Sequence, residues 1–138
     1  MSLEWKDLLG RPFKQHGADA SGMDCTTVAE TVLARLGKTA PATSPYRLTE
    51  PQGGEMTSYF NKMGEAYGLV GVDPRKATKL GDVVLARNPE GLATMLFVLV
   101  DINSGTFLTA SHQGGVRATR RFNIASPVAV YRLKGDEA

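Results

Sequence analysis

One cysteine and two histidines are all that the 138 residues offer of the side chains that most often carry nucleophilic or metal chemistry. A single cysteine excludes an internal disulfide, so packing has to hold the fold. One cysteine with two histidines also falls short of a zinc ligand set unless acidic residues complete it, and no spacing of that kind is present. Neither a metal nor any other cofactor is expected. Charge of one sign is equally scarce: sixteen Lys and Arg against fourteen Asp and Glu leave a net +2. The longest obvious basic run is Arg120-Arg121, so an extended nucleic-acid footprint is not indicated. Long hydrophobic runs are missing too. Met95 to Val100 is far short of a membrane span, and the N-terminus has no basic stretch followed by an apolar one. The expectation is a chain made in the cytoplasm, without a signal peptide, that leaves the cell only by a route other than its own leader.

What is present describes a globular protein. Hydrophobic residues make up 42% and charged residues 22%, while 15 glycines and 7 prolines imply many turns. The length suits one core and is short for two. A single domain over residues 1–138 is expected, with 133–138 a candidate flexible tail.

The chain is organised around Gly22-Met23-Asp24-Cys25-Thr26-Thr27-Val28. From Cys25 the apolar residues Val28, Ala29, Val32, Leu33 and Leu36 recur every three or four positions and line one helical face, which Gly37 ends. A thiol on the first turn of a helix meets unpaired backbone N–H groups and the positive end of the aligned peptide dipoles, which favour thiolate. That is where a nucleophile would sit. The alternative is a small buried hydrophobe, the ordinary fate of a lone cysteine.

Before it, Leu3 to Leu9 reads as a short helical segment with Trp5, Leu8 and Leu9 to pack, stopped by Gly10 and Pro12. Residues 14–22, with His16 among them, read as a loop. After the cysteine helix, residues 38–54 carry Pro41, Pro45 and Pro51 and no period, an irregular connection able to rim a groove, with Tyr46 in it. Met56, Tyr59, Phe60, Met63 and Tyr67 keep helical spacing, so a second helix is expected over 55–67, its Met and Tyr stripe serving as core.

From Leu80 the period changes. Strands are expected from Val83, over Thr94 to Asp101, Thr106 to Ser111, Val116 to Arg121 and Pro127 to Leu133, as an antiparallel meander. Helices first and sheet second indicate an α+β fold with the Cys25 helix packed on about five antiparallel strands. Asp82 reads as a turn residue at a strand start. Arg117, Arg120 and Arg121 are either solvated strand residues or contacts for an anionic polymer or an acidic partner face.

Gly10-Arg11-Pro12-Phe13, Gly22-Met23-Asp24-Cys25, Leu80-Gly81-Asp82-Val83-Val84, the hydrophobic strand after them, Phe107-Leu108-Thr109-Ala110 and Gly115-Val116 together resemble the NlpC family of cell-wall cysteine peptidases, over most of the chain. The resemblance implies a reduced papain-like fold and cleavage of peptidoglycan stem peptides, typically next to γ-D-glutamyl residues. Within the family the chain is most similar to compact, leaderless members carried with phage tails and related particles. The partners so implied are other tail or particle proteins and peptidoglycan peptide, without nucleic acid or a membrane span.

The family's chemistry carries over to this chain only in part. The nucleophile matches at Cys25, preceded by the usual Asp24. The family's base histidine, at the start of the strand after the Gly-Asp motif, corresponds to Met95, and a thioether cannot exchange a proton at neutral pH. The orienting residue on the next strand corresponds to Thr109. Phe13 lacks the hydroxyl of the family's aromatic, and Thr26-Thr27 replace the small pair after the cysteine. Phe13, Asp24 and Tyr46 are the expected groove residues. His16 and His112 are alternative bases or else surface histidines. If Thr109 faces Cys25, strand alternation turns Ala110 and His112 away unless Ser111 interrupts it. The favoured expectation is a catalytically degenerate peptidase-like domain with a structural or binding role; the competing one is an active cysteine endopeptidase with a relocated histidine base.

Overall fold

The computed structural model describes residues 3–14, 18–19, 21–38, 67–87, 93–111 and 114–133. Helix α1 spans Cys25–Arg35. It starts where it does because Asp24 and Thr27 cap it reciprocally: the Thr27 N–H donates to Asp24 Oδ1 at 2.8 Å, and the Asp24 N–H donates to Thr27 Oγ1 at 2.9 Å. It ends in a Schellman turn, in which the Gly37 N–H donates to the Ala34 carbonyl and the Lys38 N–H to that of Leu33. Gly37 takes a φ of +75° there, as glycine readily does.

The strands in chain order are β1 (Ala18–Asp19), β2 (Gly22–Met23), β3 (Tyr67–Gly71), β4 (Val83–Arg87), β5 (Ala93–Asp101), β6 (Thr106–Ser111), β7 (Gly115–Arg120) and β8 (Pro127–Leu133). The first two form a small hairpin, and the other six make one antiparallel sheet in the order β3-β8-β4-β5-β6-β7. The α+β reading is therefore right, with six strands in the sheet rather than about five. The meander holds from β4 to β7 and then breaks: β8 returns across the sheet to lie between β3 and β4.

Alternation along the strands divides the core into two layers. Val83 and Leu85, Leu96 and Val98, and Leu108 and Ala110 point to the side covered by Val28, Ala29, Val32 and Leu33 of α1. Val84 and Ala86, Phe97 and Leu99, and Phe107 point to the other side, where Ala77, Ile124 and Val130 complete a second cluster. Strand β5 is buried on both faces, which is why its sequence reads as one apolar run.

Three local expectations change. The segment 3–9 holds only a single 3₁₀ turn at Lys6–Leu8, which buries Leu8 and leaves Leu9 exposed. The loop before Cys25 contains the β1–β2 hairpin. Tyr67, expected to close a helix, begins β3 instead, paired with Leu133; residues 55–66 lie outside the described residues. Asp82 does sit at a strand start, and its carboxylate accepts hydrogen bonds from Arg132 and from the backbone of Thr78 and Lys79.

Candidate active site

Cys25 is the first residue of α1 and is 8% exposed. It belongs to an apolar cluster whose members come from several elements, among them Met23 from β2, Leu96 from β5, Ala110 from β6 and Val116 from β7. The hairpin and the segment before it fix the approach to the sulfur. The Met23 N–H donates to the Pro12 carbonyl at 3.0 Å, the Lys14 N–H donates to the Met23 carbonyl at 3.2 Å, and Phe13 bridges Met23 in parallel. Phe13 packs against the same cluster as Cys25. Gly22 is what lets these strands meet, since a Cβ there would overlap the Lys14 Cβ.

A second glycine closes the opposite wall. Gly115 has a φ of +65°, and a Cβ on it would overlap the Arg11 carbonyl oxygen. The 10–11 segment therefore lies directly on β7, where the Val116 N–H donates to the Arg11 carbonyl at 2.8 Å and the Gly10 N–H donates to the Val116 carbonyl at 2.9 Å. The Gly-Arg-Pro-Phe and Gly-Val motifs of the sequence are thus two sides of one contact.

Asp24 is buried, and its carboxylate is engaged in capping α1. That holds the first turn, and with it the sulfur, in one place.

The strand residues assigned to the base and orienting positions point to the face of the sheet away from α1. Met95 pairs with Ala86 and packs against the cluster on the far side of the sheet. Thr109 follows Phe107 by two residues on a strand without a bulge, so it shares the far face, where its hydroxyl donates to the Leu96 carbonyl at 2.7 Å. Leu96, Val98 and Val100 of β5 and Leu108 and Ala110 of β6 are the residues of these strands in the Cys25 cluster. A one-residue difference in register exchanges faces, and sequence spacing alone could not decide it. It also removes the argument that set His112 aside, because that argument placed Thr109 on the cysteine face. His16, His112 and Tyr46 lie outside the described residues. Among the described residues no group of His, Cys, Asp and Glu is arranged to hold a metal ion, and no helix is long and apolar enough to cross a membrane.

This architecture is that of NlpC/P60 domains. It matches NlpC2 from Trichomonas vaginalis over 93% of this chain with a TM-score of 0.59 and 18% identity. NlpC1 from the same organism matches over 93% with a TM-score of 0.56 and 19% identity. The NlpC/p60 domain of the peptidoglycan hydrolase SagA matches over 92% of this chain and 91% of its own, with a TM-score of 0.54 and 16% identity. The chain spans only 40% and 43% of the two Trichomonas proteins. At these identities the likeness is one of fold. No family model matches the sequence, and no curated protein matches it.

Proposed function

We propose that this chain is an NlpC/P60-type, peptidoglycan-peptidase-like domain that holds wall stem peptide without cleaving it. The observation that carries this reading is the company of Cys25: the β5 and β6 residues in its cluster, Leu96, Val98, Val100, Leu108 and Ala110, are apolar and cannot exchange a proton. Where these strands supply no acid–base group, the rate falls by about two to four powers of ten. The groove beside Phe13 then serves binding, and the sequence resemblance to compact tail-associated members supports a place in a phage tail tip or similar particle. The test is incubation with purified sacculi. The reading expects retention of the protein on sacculi, equal retention of Cys25→Ala, and no release of stem-peptide fragments; fragment release that Cys25→Ala abolishes overturns it.

The second reading is an active cysteine endopeptidase, favoured by the placement of Ala110 in the cysteine cluster, which removes the objection to a base two residues further along the chain. In it the thiolate attacks the scissile carbonyl, and the departing amine takes the proton that the base removed from sulfur. Fragment release lost in His112→Ala, or in His16→Ala, would identify that base.

A further inference from the structure

The face of the sheet away from α1 carries a groove of about 760 Å³, open to solvent, between β5, β7 and the segment that crosses to β8. Its floor includes Met95 and Phe97, and Arg87, Arg117 and Arg120 also line it; none of its described lining residues is acidic. Arg117 is exposed, and its side chain makes no hydrogen bond or ion pair among the described residues, whereas Arg120 is tethered by donating to the Ser104 carbonyl at 3.1 Å. The crossing segment forms a fixed wall: Ser126 takes a left-handed φ of 52°, and its carbonyl accepts the Arg87 N–H at 3.0 Å. Within this segment a single 3₁₀ turn spans Arg121–Asn123, and its Phe122 is 86% exposed.

Strand β7 is the last strand of the sheet. The Val116 backbone groups point outward to Gly10 and Arg11, so by antiparallel alternation those of Ala118 and Arg120 point outward as well. Ala118 and Arg120 are exposed, and no described strand pairs with them on that side. The edge is therefore covered at Val116 and open from Ala118 onward. A strand added there would set alternate side chains beside Arg117 and Thr119 on the groove face.

From the open edge and the Arg117 guanidinium beside it, we infer that β7 receives an extended acidic segment of a partner protein as an added strand. Its groove-face carboxylates lie beside Arg117, and the apolar side chains between them fall on the opposite face with Ala118. An added strand gains main-chain hydrogen bonds from the edge and specificity from alternate side chains. A polyanion without a peptide backbone would form no ladder with the outward N–H and C=O of Ala118.

The probe is a labelled heptapeptide with Glu at alternate positions and Val or Phe between them, compared by fluorescence anisotropy with its Lys counterpart and with labelled polyphosphate. The acidic peptide binds at least about tenfold tighter than the Lys form, and Arg117→Glu weakens it about tenfold, as expected for loss of a charge-assisted bond. Ala118→Pro removes the outward donor without touching the β6 ladder and abolishes binding. In the unaltered chain, amide exchange at Ala118 slows when peptide is bound, which keeps the test decisive should the proline variant fail to fold. Absence of binding, equal binding of polyphosphate, or unchanged exchange at Ala118 overturns the inference, the second outcome marking a polyanion surface instead.

Discussion

Arg132 of β8 grips the Asp82 carboxylate with two hydrogen bonds, Nε to Oδ1 at 2.9 Å and Nη2 to Oδ2 at 2.7 Å. The Asp82 side chain is 1% exposed and that of Arg132 12%, and Oδ2 also accepts the Thr78 and Lys79 N–H groups at 3.0 Å. The pair ties the turn before β4 to the strand that lies beside it. Removing one partner leaves a sheltered charge and two backbone donors without their acceptor. Asp82→Ala is therefore expected to cost about 3–5 kcal/mol in urea unfolding. The double variant Asp82→Asn, Arg132→Met should cost clearly less, and equal losses would show that the ion pair is not the cause.

Removing the reciprocal cap of α1 has a smaller and more local effect. Asp24→Ala should lower stability by about 1 kcal/mol. Because Cys25 is the next residue, the same substitution should change the rate at which iodoacetamide alkylates the thiol in the folded protein. An unchanged rate beside the stability loss would separate the cap from the placement of the sulfur.

The two faces of β5 make opposite predictions for an introduced histidine. Leu96→His puts an imidazole into the Cys25 cluster and should shift the pH profile of Cys25 alkylation to lower pH than in the parent protein, through stabilisation of the thiolate. Met95→His, on the far face, should leave the profile where it was. Equal profiles for the two variants, both confirmed folded by thermal melting, would contradict the strand register.

Asp73 provides a pH marker at the surface. Hydrogen bonds from the Arg75 side chain, then from its backbone N–H, lower the carboxyl from 3.8 to about 2. A carboxyl with a lowered folded-state pKa contributes stability above its unfolded value, and that contribution disappears as pH falls through the folded value. The window here runs from about 3.8 down to about 2. Carbon-13 titration of the Asp73 carboxyl should find its midpoint near the lower limit, and Arg75→Ala should return it towards the upper one. Between pH 5 and 8 the group stays ionised and adds no slope to stability.

The helix and the sheet were legible in the sequence for different reasons. The period from Val28 to Leu36, bounded by Asp24 and Gly37, specifies α1 locally, so its start and stop needed no tertiary information. Strands β5 to β8 followed from runs of apolar and β-branched residues between turn signals. Strand β3 was hidden because Tyr67 continued a helical spacing and its partner, Leu133, lies far away in sequence. The partner of Asp82 was hidden for the same reason, as Arg132 is 50 residues distant. At the site, motif and local pattern mark Asp24 and Cys25 at the start of α1, while spacing alone does not give the face of Met95 and Thr109, which point away from α1. Parity along a strand buried on both sides carries no polar mark to read, and only contact with Val28 and Val32 on one side and with Ile124 on the other distinguishes Leu96 from Phe97.

The interior position of β8 sets the order in which this molecule can assemble. Its partners Val83 and Tyr67 emerge long before Tyr131 and Leu133 do, so the hairpins from β4 to β7 can form early while β4 waits with one side unzipped. Pairings of such sequence separation are reached slowly. A nascent chain halted before Pro127 would display a hydrophobic strand rim and an orphaned β3, a shape ready to pair with a neighbouring copy instead of with itself.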